Sequence, residues 1–170
     1  DNGGYYMHSL DATPTLVSSG LLTRLRKHLA WRFDRSEDPI DVVTRRLPRR
    51  ASIADIGSGD GSQIVLLSQR GFRMTGVERD TKSVSLQGEH TQVFEGSAEA
   101  LPEQLPRAGF DAVMFKQVLE HLVDPVRALR NAAQLLKPGG VMFVEVPNND
   151  SAISKQSGLS WEHMDVPRHI

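Results

Sequence analysis

The chain contains no cysteine, which excludes disulfides, thiolate metal sites and a cysteine nucleophile. Net charge is nearly absent: 20 Lys and Arg stand against 21 Asp and Glu, leaving −1. No global attraction to nucleic acid or to an anionic membrane follows from such a balance. Aromatics make up only 6% of residues, and no aromatic–basic surface of the kind that binds RNA is evident. No apolar run approaches the ~20 residues a membrane-spanning helix needs, and no signal peptide is visible. These absences fit a cytoplasmic protein with neither nucleic acid nor membrane as partner. What is present suits one globular domain: 170 residues, 39% hydrophobic and 24% charged, enough to bury a core. The first residue is Asp1 rather than Met, so the natural N-terminus is expected upstream.

Two textures divide the chain. From about Ser18 a helical spacing sets Leu22, Leu25, Leu29 and Phe33 on one face, with Arg24, Arg26, Lys27, Arg32 and Arg35 around the rest. That basic stretch reads as a solvated helix face. A second helix is expected over 40–47, and Arg45, Arg46, Arg49 and Arg50 flank Pro48 as a linker. After Ala51 strands alternate with helices. Strands are expected at 52–56, 73–77, 92–95, 110–115 and 141–146, the last nearly all apolar and so buried on both faces. Helices are expected at 61–69 and near 81–87, with a brief helix or turn at 97–105. Another begins at Pro125 behind an Asp124 cap and ends at Pro138-Gly139-Gly140. Such alternation implies right-handed βαβ units and a Rossmann-like, doubly wound, mostly parallel α/β sheet with N-terminal helices.

Between the first strand and its helix lies Asp55-Ile-Gly-Ser-Gly-Asp-Gly61. Glycines 57, 59 and 61 permit a tight turn and close approach of a ligand. A dinucleotide would rest its pyrophosphate there; S-adenosylmethionine, which has no phosphate, would need its ammonium and carboxylate held. Asp55 and Asp60 repel a pyrophosphate, and Asp55 attracts an ammonium group. Glu78, 17 residues beyond Gly61, suits the ribose hydroxyls of either ligand. The loop with Asp55 and Glu78 therefore favours S-adenosylmethionine over NAD.

These segments resemble the motifs of class I S-adenosylmethionine-dependent methyltransferases. Asp55–Gly61 is similar to the first motif and Gly76-Val-Glu-Arg79 to the second. Glu95-Gly-Ser-Ala-Glu-Ala-Leu-Pro102 resembles the adenine-holding loop. Phe110-Asp-Ala-Val-Met-Phe115 with Val118-Leu-Glu-His121 resembles the fourth-strand motif, and Leu136–Pro147 the fifth strand with its lead-in. The resemblance covers roughly 51–147 and looks nearest to small-molecule enzymes of the ubiquinone-biosynthesis type. It implies that Asp55, Gly57 and Gly59 hold the methionine end and Glu78 the ribose, with Ser58 and Gly61 also binding the cofactor. Arg79, Ser97 and Ala98 would meet the adenine, Arg79 in place of the apolar residue and Ser97 in place of the Asp that relatives often carry. Backbone carbonyls at Lys116 and Gln117 would meet the ammonium.

The implied reaction moves a methyl group from S-adenosylmethionine to a small-molecule oxygen, nitrogen or carbon. Most of its rate can come from positioning, with a base assisting a hydroxyl acceptor. His121, Glu120 and the tail residue His163 are the candidates; a helix cap or packing contact is the plainer role for the first two, and a solvated tail for the third. Some relatives bind a divalent metal through two glutamates and a histidine in this segment. Gln117 replaces the first glutamate here, so no metal site is expected. The resemblance divides the chain into an N-terminal helical lid or substrate segment (1–50), the cofactor-binding core (51–147) and a tail over the acceptor pocket (148–170). Relatives carry two more strands after the fifth, and only 23 residues follow Pro147, so the C-terminal strands look missing. The edge this leaves calls for a longer chain or a partner, such as a second copy. An NAD-dependent oxidoreductase, a non-catalytic methyltransferase-like binding domain, and an RNA or protein methyltransferase are the alternatives.

Overall fold

The computed structural model describes residues 39–83 and 91–157. The expected helix of 18–33, the lid residues before Pro39, the helix near 81–87 beyond Ser83, and His163 lie outside the described residues. Four helices and five strands are described, in the order α1 (Pro39–Arg46), β1 (Ser52–Ile56), α2 (Ser62–Gln69), β2 (Arg73–Glu78), β3 (Thr91–Glu95), β4 (Phe110–Lys116), α3 (Pro125–Ala133), β5 (Leu136–Glu145) and α4 (Ala152–Ser157). Short 3₁₀ turns occupy Thr81–Ser83 and Leu119–His121.

All pairings are parallel, and the strands lie in the order β3-β2-β1-β4-β5. The chain winds outward from β1 to β3 and then crosses back to lay β4 on the other side of β1. Side chains alternate along these strands, so each face has its own core. Ile53 and Met74 join Ile40 and Val43 of α1 and Ile64 and Leu67 of α2 on one face. Ala54, Ile56, Val113 and Phe115 join Ala128 and Ala132 of α3 on the other. The helix α1 thus shares a core with the sheet, and the compact unit begins at Asp38.

Of the helix or turn expected at 97–105 the turn is what forms: Ser97 and Ala100 bridge each other, and Pro102 follows. Two other expectations need correction. The helix α3 stops at Ala133, short of Pro138-Gly139-Gly140, because the carbonyls of Gln134 and Leu135 are taken by the N–H groups of Ala108, Gly109 and Phe110. The Pro-Gly-Gly segment instead enters β5, where the register against β4 shifts between Phe110 and Ala112. Finally, β5 is not buried on both faces. It pairs only with β4 among the described residues, and Val141 and Val144 are 41% and 48% exposed.

Candidate functional site

In an open parallel sheet, ligands bind beyond the carboxyl ends of the strands, where the winding reverses. Here that point lies between β1 and β4. The chain leaves β1 through Gly57, Gly59 and Gly61, all with left-handed φ of 76°, 56° and 80°. A side-chain carbon added at Gly59 would meet nothing within 4 Å, so space opens directly above the loop. The loop is held from below: the N–H groups of Gly57 and Ser58 both donate to the Val77 carbonyl, at 2.8 and 3.1 Å.

A cavity of about 230 Å³ sits here, lined by Asp55, Gly57, Ser58, Gly59, Ser62, Gln63, Lys116 and Gln117. Larger grooves exist, of about 410 Å³ at the strand starts around Arg73 and Thr91 and of about 490 Å³ beside α3 around Arg127. Neither holds an isolated buried charge. Size is therefore not what marks the site.

Asp55 is what marks it. It is only 3% exposed, and no described residue donates a hydrogen bond to its carboxyl group. Burial pushes its pKa from 3.8 up to about 7; Lys116 pulls it down and Glu78 adds a further push upward. A lone carboxyl in this condition is destabilising unless a cation or donor arrives. The Ser58 hydroxyl and the Gln63 amide are likewise buried without a hydrogen-bond partner among the described residues. Glu78 touches the same loop: one carboxylate oxygen accepts from the Gly59 N–H and the other from the Arg79 N–H, each at 2.7 Å. Gln117 leaves β4 at φ 54°, a strained conformation for a side-chain-bearing residue. Its backbone N–H donates to the Glu145 carbonyl at 2.9 Å, and its side-chain amide to a Glu145 carboxylate oxygen at 3.3 Å.

The expected residues are thus only partly brought together. Asp55, Gly57, Ser58, Gly59, Lys116 and Gln117 share one cavity, and Glu78 adjoins it through Gly59. Gly61 is instead the N-cap of α2. Asp60, exposed, accepts from the Ser62 N–H at 2.9 Å, a bond that lowers its pKa. Its carboxylate is a turn and cap device rather than a cavity wall. The guanidinium of Arg79 pairs with Glu99 at 3.6 Å, and Ser97 accepts from the Ala100 N–H at 3.1 Å. Ala98 is buried, its carbonyl accepting from Asn131 at 3.3 Å. Glu120 and His121 lie on the 3₁₀ turn after β4 and do not line the cavity. Both Glu120 oxygens are buried without a hydrogen-bond partner among the described residues, while His121 is exposed.

Glycine loop, parallel sheet and an acid near the end of each of the first two strands together define a Rossmann-like domain with its candidate ligand site at the β1–β4 reversal. Residues 28–170 match the family model described as a methyltransferase domain, and the chain belongs to that family. A ubiquinone biosynthesis O-methyltransferase of Caulobacter vibrioides is 34% identical over 133 residues, covering 75% of this chain and 51% of that one. Its counterpart in Paramagnetospirillum magneticum is 35% identical over 129 residues, covering 72% and 49%. The chain therefore spans about half the length of these curated relatives. Among solved structures, an S-adenosylmethionine-dependent methyltransferase from Thermotoga maritima superposes with a TM-score of 0.54 at 26% identity, over 80% of this chain and 62% of that one. The cyclase SpnF superposes with a TM-score of 0.56, also at 26% identity, over 62% and 42%.

Proposed function

We propose that this chain binds S-adenosylmethionine and forms the cofactor-binding part of an enzyme that methylates a small molecule. The observation that carries the proposal is the buried Asp55 carboxyl group, lacking a hydrogen-bond partner among the described residues at the β1–β4 reversal. A pyrophosphate would bring two negative charges to that carboxyl and to Glu78, which speaks against NAD. A ligand bearing an ammonium and a sulfonium instead meets an acid that burial has left unsatisfied. The relatives with methyltransferase names support the same reading, whereas SpnF warns that the fold alone does not fix the reaction.

Each residue then has a task. Asp55 accepts from the ammonium, and the ligand's charge holds its carboxyl ionised. The backbone of Gly57, Ser58 and Gly59 lies against the methionine end, with the Ser58 hydroxyl gaining the partner it lacks. Glu78 keeps its two backbone donors and offers its remaining lone pairs to the ribose hydroxyls. Arg79, held beside the Ser97–Ala100 turn by its pair with Glu99, would meet the adenine together with Ser97 and Ala98. The carbonyls of Lys116 and Gln117 complete the ammonium site; the strained Gln117 backbone sets their direction. Bound S-adenosylmethionine supplies an activated methyl, so the protein's contribution is orientation and exclusion of water. Of the three candidate bases, Glu120 lies nearest in sequence to the cavity wall, and its buried oxygens suit a group that acts on a proton.

Calorimetric titration with S-adenosylmethionine and separately with NAD tests the proposal, alongside Glu78→Ala. Binding of S-adenosylmethionine alone, weakened at least about tenfold by losing two charge-assisted hydrogen bonds, is the expected result. NAD binding, or a folded chain that binds neither, sinks it.

A further inference from the structure

The glycine loop has most of its N–H groups engaged within the protein. Those of Gly57 and Ser58 go to the Val77 carbonyl, that of Gly59 to the Glu78 carboxylate, that of Gly61 to the Ser58 carbonyl and that of Ser62 to Asp60. Yet S-adenosylmethionine ends in an amino acid, and its carboxylate must exchange water for other donors if binding is to be favourable. The ammonium beside it is better served. It carries three N–H groups, and Asp55 with the carbonyls of Lys116 and Gln117 offers three acceptors. Side chains must therefore supply most of what holds the carboxylate; the Ser58 hydroxyl can give one bond, and a carboxylate accepts several.

Gln63 is in the complementary condition. It is the second residue of α2 and lines the cavity with Asp55, Ser58, Ser62 and Lys116. Both ends of its amide, Nε2 and Oε1, are buried with no hydrogen-bond partner among the described residues. A buried amide left so costs stability. The four residues that follow, Ile64 to Leu67, are all apolar, and an aliphatic side chain at 63 would pack without that cost. Lys116 is the rival donor on the same wall. Its positive charge, however, acts on Asp55 and so competes with the ligand's ammonium. An uncharged amide can hold a carboxylate and leave Asp55 free for the cation.

We propose that Gln63 is a specificity-determining residue of the cofactor site, its amide N–H donating to the ligand's carboxylate and so selecting an amino-acid end over a plain amine. This rests on the cofactor reading above and deepens it. An amide can present either end; the carboxylate selects the NH₂, and the oxygen is left to a bridging water. Three ligands separate the groups involved. S-Adenosylhomocysteine carries both charges, its decarboxylated counterpart keeps only the ammonium, and 5′-methylthioadenosine has neither. Each is titrated calorimetrically into the 170-residue chain and into Gln63→Leu, Gln63→Glu and Lys116→Met, with urea denaturation of the unliganded proteins alongside.

Gln63→Leu is expected to bind S-adenosylhomocysteine about tenfold more weakly, the weight of one charge-assisted hydrogen bond. The other two ligands should stay within about threefold of their wild-type affinities. Unliganded Gln63→Leu should be at least as stable as the wild type, because two buried, unpaired polar atoms give way to methyl groups. Gln63→Glu should turn the preference round, repelling the carboxylate and favouring the decarboxylated ligand. An equal loss for all three ligands, or an unchanged affinity for S-adenosylhomocysteine, overturns the proposal. So does a less stable Gln63→Leu chain, which would mark the amide as a structural group. A carboxylate-dependent loss in Lys116→Met with none in Gln63→Leu assigns the carboxylate to the lysine and overturns it too. If S-adenosylhomocysteine fails to bind the folded wild type, the cofactor reading falls together with this one; binding that ignores Gln63 removes this one alone.

Discussion

Two aspartates at opposite ends of one sheet have opposite surroundings. Asp111, near the start of β4, is fully partnered: it accepts from the Ser52 N–H at 2.7 Å, the Ser52 hydroxyl at 2.9 Å and the Lys137 ammonium at 2.7 Å. The Lys137 bond, aided by Ser52, pulls its pKa down to about 2. Asp55, near the end of β1, has none of this and is pushed up to about 7. The first joins the starts of β1, β4 and β5 and leaves nothing unsatisfied. The second is a buried acid that the fold holds at a disadvantage. In a parallel sheet the amino ends of strands can be given over to stability, while the carboxyl ends carry the strained and unsatisfied groups that a ligand completes.

The sharpest break of this comparison is Asp55→Asn. Affinity for S-adenosylmethionine should fall by about a hundredfold, as expected when one partner of a buried charged pair is removed. The same substitution should raise the stability of the free chain at pH 8, by at most about 4 kcal/mol, because roughly three pKa units of disfavour disappear. Urea denaturation at pH 8 and at pH 5 checks the cause. At pH 5 the wild-type carboxyl is already protonated, so the gain should shrink; an equal gain at both values would point to packing instead.

The two aspartates should also pull stability in opposite directions with pH. Between 3.8 and about 7 the folded chain holds a proton on Asp55 that the unfolded chain has released. The Asp55 contribution therefore declines as pH rises through that window and is level above it. Asp111 stabilises above 3.8, and that contribution is lost as pH falls toward about 2. Cofactor affinity, by contrast, should strengthen as pH rises through about 7, because the cation needs Asp55 ionised. Calorimetry from pH 5.5 to 8.5 in the wild type and in Asp55→Asn separates the two, since the variant should lose the pH dependence of binding.

A smaller effect is expected of Asp111→Asn. It should lower stability by about 1–2 kcal/mol through weakened bonds to Ser52 and Lys137, leaving cofactor affinity unchanged. A concurrent loss of affinity in a folded variant would show that the two ends of the sheet are coupled.

The mildest pair compares glycines. Gly59 at the carboxyl end and Gly71 before β2 both have left-handed φ, 56° and 91°, with open space where a side-chain carbon would stand. Alanine at either should cost about 1 kcal/mol or somewhat more in backbone strain. Only Gly59→Ala should also weaken S-adenosylmethionine binding, by putting a methyl group into the ligand's space.

The sequence shows the upper end of the sheet better than the lower. Asp55, the glycines and Glu78 stand close together with a spacing that chemistry constrains, so they stand out as candidates from the sequence alone. Strand positions are nearly as clear, because Ala112–Phe115 is apolar without interruption and Ile53–Ile56 is broken only by Asp55. The Ser52–Asp111–Lys137 network is not, because its bonds join residues 59 and 26 apart and exist only through strand pairing. The same reason hides Glu145, which accepts from Gln117, 28 residues away. The early end of α3 is hidden too: Leu135 and Leu136 continue the helical spacing, but distant N–H groups claim the carbonyls that would extend it.

The reversal between β1 and β4 also bears on time. Asp55 and Gln117 face one cavity from strands that are neighbours in space and 62 residues apart in the chain. A nascent or refolding chain that has joined only β1, β2 and β3 has the glycine loop but no second wall. The cofactor therefore has no complete site to grip until β4 has docked. Its binding energy falls on the finished side of the folding barrier, so it should slow unfolding while leaving the rate of folding nearly untouched.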